Sequence, residues 1–127
     1  MDGRAVSAIA EVLARGASKA KVSPAMRETA ERLLIDIAGL CVAARGADYV
    51  RAAIDSWEAN GGSTAIGHAR ALDSAGAAFV NGTAAHGEDF DDTFEGGPVH
   101  AGVVIVPALL AAAERHRIAG PDLLRGT

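Results

Sequence analysis

His86, Glu88, Asp89, Asp91, Asp92, Thr93, Glu95 and His100 fall within fifteen positions of a chain otherwise rich in alanine and other apolar residues. Histidine and carboxylate side chains are the ordinary proton carriers near neutral pH, so general acid–base chemistry is one reading of this group. A carboxylate beside an imidazole orients the ring and raises its pKa. A helix over Ala84–Asp92 would place His86 three positions from Asp89 and Asp89 four from Thr93, all on one face. The loop Glu95-Gly96-Gly97-Pro98 cannot stay helical, and it would let His100 fold back toward that face.

Two other readings use the same residues. Acidic side chains commonly cap helices or form a solvated face, and backbone groups could satisfy both imidazoles. Alternatively, Asp91-Asp92-Thr93-Phe94-Glu95 resembles the acidic D-D-x-x-D/E box with which all-helical isoprenoid diphosphate enzymes hold magnesium through carboxylate oxygens. That box belongs on an unbroken helix and is paired with a second one. Here Gly96-Gly97-Pro98 follows at once and no second box appears in the chain. Spacing alone leaves acid–base chemistry and the solvated face undecided.

The elements that would position these residues are mostly helical. Val6, Ile9, Ala10 and Leu13 mark a short amphipathic helix over Ala5–Ala14 that ends near Gly16. Ser23-Pro24 reads as an N-cap with proline at the first helical position. It opens a helix on which Met26, Ala30, Leu33, Leu34, Ile37, Ala38 and Cys41 recur at three- and four-residue intervals. Apart from Asp36, Ile35–Ala44 is apolar almost all round, so it should be deeply buried or face a partner. A third helix runs from about Ala47 to Asn60 and stops at Gly61-Gly62. Ser63–Gly67 is a short extended stretch. Asp73 or Ser74 caps a helix through Val80, Asn81-Gly82 interrupts or bends the chain, and Val103–His116 is helical with Pro107 near its start. Gly120-Pro121-Asp122 looks like the entry to a further helix, and a chain ending at Thr127 just after that entry is expected to be cut short.

Composition limits the function classes. With 127 residues, half of them apolar and only 4% aromatic, the chain suits one domain or part of one, with a core built from Ala, Leu, Ile and Val. Ala- and Leu-rich composition favours helices. A net charge of −4 argues against nucleic acid as a partner. The single cysteine, Cys41, excludes an intrachain disulfide and reads as a buried, inert thiol. No stretch approaches the apolar length of a membrane span and no secretory signal opens the chain, so a cytoplasmic protein is expected.

The full string Ala78-Phe79-Val80-Asn81-Gly82-Thr83-Ala84-Ala85-His86, then Asp89-Phe90-Asp91-Asp92-Thr93, then His100-Ala101-Gly102 and Pro107-Ala108, resembles the signature region of MmgE/PrpD proteins. Upstream, Glu31–Asp36 continuing through Val42 resembles the family's early buried helix, and Gly61–Gly67 the short segment before the signature. This resemblance covers most of the chain from about Ser23. It implies an all-α fold class for this chain, as a partial helical bundle: the N-terminal portion (1–127) of the family's helical domain, incomplete and without its α+β lid domain. It implies a lyase or isomerase acting on a small di- or tricarboxylate without metal or organic cofactor, as in 2-methylcitrate dehydratase, cis-aconitate decarboxylase and iminodisuccinate epimerase. Dehydration ranks first only because hydratase-type reactions are the common family expectation.

By the same resemblance, Asp89, Thr93 and His100 are the catalytic positions, with Asn81 and His86 toward the substrate. His100 takes a proton-transfer role, Asp89 orients it or shares the proton, and Thr93 donates a hydrogen bond to a substrate carboxylate. Asp91 and Asp92 organise the loop and the start of the next helix. The family's common His-Pro-Gly stands here as His100-Ala101-Gly102. Expected partners are a second copy in a homodimer, or a complementing C-terminal chain. Such a chain is needed on charge grounds: there is no Lys or Arg between Arg70 and Arg115, while five acidic side chains crowd Glu88–Glu95. A polycarboxylate requires cationic partners to offset its desolvation. On this reading the chain alone is inactive: a truncated product, or one subunit of a split enzyme.

Overall fold

A computed structural model describes residues 3–19 and 21–124. Helix α1 spans Gly3–Lys19 and so runs past Gly16, where the sequence suggested an end. Its Ile9 and Leu13 are exposed, and among the described residues it adds nothing to the core. The side chain of Val6 lies outside the described residues. Helix α2 (Pro24–Ala44) begins as expected: the Ser23 hydroxyl accepts the Met26 N–H at 3.2 Å, with Pro24 in the first turn. Ion pairs Glu28–Arg32 and Arg27–Glu31 line its outer face.

Helix α3 (Asp48–Ser56) is shorter than the sequence suggested and stops at Trp57, ahead of Gly61-Gly62. The two glycines instead lie in strand β1 (Asn60–Thr64), which pairs antiparallel with β2 (Ala71–Leu72) across a bulge between Asn60 and Ser63. The all-α expectation is therefore corrected: the described residues are mostly helical with one small two-stranded sheet. Side chains distant in sequence hold that sheet. Arg70 donates to the carbonyls of Ile54 and Trp57 and to the Asn60 side chain, and the Glu114 carboxylate accepts the Thr64 N–H at 2.7 Å.

Helix α4 (Ser74–His86) is capped by Asp73, whose carboxylate accepts the N–H of Gly76 and the indole N–H of Trp57. It continues through Asn81-Gly82 without a break, contrary to the expected interruption. The Asn81 amide is occupied elsewhere: its oxygen accepts the Ile66 N–H and its nitrogen donates to the Thr64 carbonyl. Helix α5 (Gly102–His116) carries Pro107 buried within it, and α6 (Gly120–Leu123) follows.

The core lies where one face of α2 (Ile37, Cys41, Ala44) and one of α3 (Val50, Ala53, Ile54) meet α4 and α5. Helix α4 is central, with Ala77, Val80, Ala84 and Ala85 all buried, which is why its small residues show no single apolar stripe. Burial pushes the Cys41 thiol up to about 11, against a smaller opposing backbone hydrogen bond. Among the described residues only one face of α2 is covered; Ile35 is 74% exposed. No helix among the described residues is long and apolar enough to cross a membrane.

Candidate active site

Helix α4 stops at His86, and the chain from Gly87 to Ala101 is loop. The one-face arrangement of His86, Asp89 and Thr93 on a continuing helix is therefore corrected. The acidic run beginning at Glu88 meets the negative end of the helix dipole, which disfavours continuation. The ring of Tyr49 lies against Gly87, where a Cβ would stand 2.2 Å from it, so that position takes no side chain.

The loop turns sharply at Asp89, which adopts a left-handed backbone (φ 57°) while its N–H bonds to the His86 carbonyl. Aspartate tolerates this region better than most residues do, but the conformation is still strained relative to glycine. The turn carries Asp91 inward, where its side chain is fully buried. Asp92 faces the other way: its carboxylate accepts the Gly102 N–H at 3.0 Å and stands at the positive end of α5. This fastens the loop's far end, and His100 with it, beside the C-terminal end of α4.

Asp91 is the centre of the resulting cluster. One carboxylate oxygen lies 3.0 Å from His86 Nδ1 and the other 2.9 Å from His100 Nδ1. The two imidazole centroids are 4.8 Å apart, tilted by 59°. On the open side, Asp89 Oδ1 lies 3.7 Å from His100 Nε2. Burial works to raise the Asp91 carboxyl, but hydrogen bonds from His86, its own backbone and His100, with the charge of His86, more than offset it and hold it below the usual range. His86 is pushed up, first by its hydrogen bond to Asp91 and then by the charge of Asp91, against an opposing desolvation that exceeds the further contribution of Asp89. The result is an ionised carboxylate clasped by two imidazoles.

His86 also borders an apolar groove of about 610 Å³ formed with Tyr49, Phe79, Thr83, Val103 and Val104. Of the residues the sequence singled out, His86, Asp89 and His100 are brought together. Thr93 sits exposed in the loop outside this cluster. Asn81 is buried and borders a different groove, beside Thr64, Ile66 and Glu114. The sequence assigns Asp91 to organising the loop and the start of the next helix; in the structure its carboxylate joins the two histidines. Nothing in the spacing distinguishes it from the four neighbouring acidic residues; its burial does.

Ligand-type atoms of His86, Asp89, Asp91 and His100 all lie within 4.8 Å of one another, a donor set of the kind divalent cations take. Both oxygens of Asp91 are already engaged by imidazole Nδ1 atoms.

The family model described as the MmgE/PrpD N-terminal domain matches residues 7–127. The chain belongs to the MmgE/PrpD family. The cis-aconitate decarboxylase-like protein oryM of Aspergillus oryzae is 39% identical over 62 residues, which is 49% of this chain and 13% of that relative. The chain thus spans only a minor part of the length of the curated relative it matches. No solved structure matches it. The MmgE/PrpD match encloses α2 through α5, so every residue of the histidine–aspartate cluster lies inside it.

Proposed function

We propose that this chain supplies the proton-transfer wall of a lyase-type active site acting on a small di- or tricarboxylate, with dehydration as the reaction. The observation that carries the reading is the pair of imidazoles on one buried carboxylate beside an open groove. Eliminating water next to a carboxylate requires a base to take the proton from carbon and an acid to protonate the departing hydroxyl. His100, with Nε2 on the exposed side facing Asp89, is the base. His86, whose charged form is favoured, is the acid. The C–H electron pair becomes the new double bond, the hydroxyl leaves as water, and the proton gained by His100 returns to His86 through solvent. Thr93 is exposed on the same loop outside the cluster, and on this reading its hydroxyl would donate to a substrate carboxylate only when substrate is bound.

The chain is continued or complemented, on this reading, by sequence that supplies cations, since Ala71–Glu114 contains neither Lys nor Arg. Replacing His100 by Ala in the complemented enzyme should lower kcat by about 10²–10⁴-fold, the range of a lost general acid–base group. Steady-state turnover of a 2-methylcitrate-type acid measures this; a variant that keeps wild-type turnover removes His100 from the mechanism.

A decarboxylase reading is favoured by one specific observation, the resemblance to a cis-aconitate decarboxylase-like protein. There, loss of carbon dioxide replaces proton removal, and a protonated imidazole delivers the proton to carbon. Release of labelled carbon dioxide from a carboxyl-labelled unsaturated tricarboxylate, against release of water from a hydroxy acid, separates the two.

A further inference from the structure

We propose that Asp91 is the positioning residue of this site, holding both His86 and His100 as Nδ1–H tautomers so that each keeps Nε2 for the substrate. The proposal rests on the reading of this cluster as the reacting site, but its chemistry follows from the cluster alone. An ionised carboxylate can only accept hydrogen bonds, and each of its oxygens faces a different Nδ1, at 3.0 and 2.9 Å. Each Nδ1 must therefore carry a hydrogen. A neutral imidazole with hydrogen on Nδ1 has its lone pair on Nε2, and a charged one has its second acidic hydrogen there. One buried side chain thereby fixes the reactive atom of two residues that stand fourteen positions apart in sequence.

Other groups near the rings do not compete for Nδ1. Asp89 approaches His100 from the Nε2 side, at 3.7 Å. Asp92 is committed to the Gly102 N–H, and Glu88 to the Tyr49 hydroxyl. Asp91 alone is fully buried, so water does not dilute its preference. The lowered Asp91 and raised His86 titrations agree with a carboxylate that stays ionised between the rings.

A distinctive consequence follows for Asp91→Asn. An amide offers one accepting oxygen and one donating nitrogen where the carboxylate offers two acceptors. The amide oxygen can keep one ring as Nδ1–H, whereas the amide N–H requires a lone pair on the other ring's Nδ1. One histidine must then switch to Nε2–H. A structural spacer would produce no such split.

The test is NMR of the ¹⁵N-histidine-labelled chain above the histidine titration range, reading the ring nitrogen shifts that separate the tautomers. His68 and His116 serve as internal references. The expected result is that His86 and His100 both favour Nδ1–H by roughly tenfold or more, as a charge-assisted hydrogen bond requires, although unrestrained histidine prefers Nε2–H. In Asp91→Asn, one of the two should reverse and the references should not move. An Nε2–H form at either ring in the wild type overturns the proposal, even where the variant does not fold. Two Nδ1–H rings in a folded Asp91→Asn chain overturn it equally. Failure of the complemented enzyme to act on any polycarboxylate would end the functional reading and leave this tautomer assignment standing.

Discussion

Asp89 carries two burdens that pull its chemistry and its backbone apart. Its carboxylate is the one that reaches the open side of His100, while its φ of 57° is a conformation glycine adopts without penalty. Substituting Asp89→Gly should therefore leave stability unchanged or raise it by about 1 kcal/mol, the scale of relieved left-handed strain. Turnover of the complemented enzyme should fall. A urea midpoint that drops, or activity that survives, would show that the aspartate is held there by contacts rather than for its charge.

The His86–Asp91 pair also ties stability to pH. Because Asp91 titrates below its ordinary value of 3.8, the stability it contributes is present above about pH 4 and is lost as pH falls through the lowered value. His86 titrates above 6.5, so its contribution is complete below about 6.5 and is lost as pH rises through the raised value. The pair therefore stabilises most between about pH 4 and about pH 6.5. Urea unfolding of wild type and His86→Ala at about pH 5.5 and about pH 8.5 checks this: the difference between them should shrink at the higher pH. An equal difference at both would mean that the imidazole contributes by packing and not by charge.

At the scale of elements, what holds the site is the junction of α4, the loop and α5. Gly102 is one of its tight points: an added Cβ would stand 2.2 Å from Asp92 Oδ1 and 2.7 Å from Leu33 Cδ1. Gly102→Ala should cost about 1–3 kcal/mol, as overpacking does, and should loosen the Asp92 hydrogen bond that seats His100. Thermal unfolding measures the cost; a variant as stable as wild type would mean that Asp92 is free to swing away.

Elements with local causes were legible in the sequence. Ser23-Pro24 and Asp73 sit beside the N–H groups they cap, and the three- and four-residue spacing of Leu33, Ile37 and Cys41 describes the helix that carries them. Elements with distant causes were not. Asn81-Gly82 looks like a break until the Asn81 amide meets the backbone at 64 and 66; β2 is two residues long and depends on how Arg70 and its neighbours fold. The site divides in the same way. His86, Asp89 and His100 were visible as residue types within a recognisable string, whereas the role of Asp91 needed the turn at Asp89 that buries it.

For the whole molecule, the uncovered apolar surface matters most. Ile35 and Val42 on α2, Phe79 on α4 and Val104 on α5 are all substantially exposed, although each belongs to a helix whose other face lies in the core. Scattered exposed apolar side chains are normal; several on mutually packed helices resemble the surface of an association site. A polypeptide that is one wall of a carboxylate pocket would present its apolar flanks to whatever supplies the other wall. In isolation the same flanks should meet each other. The chain alone is therefore expected to sediment as a species heavier than its 12.8 kDa protomer, with the average mass rising with concentration. Ile35→Glu combined with Val42→Glu should return it to 12.8 kDa with helical circular dichroism intact, because neither side chain contributes to the core. A wild-type chain that remains monomeric throughout would mean that the exposed face of α2 is solvated and that Ile35 has no partner to meet.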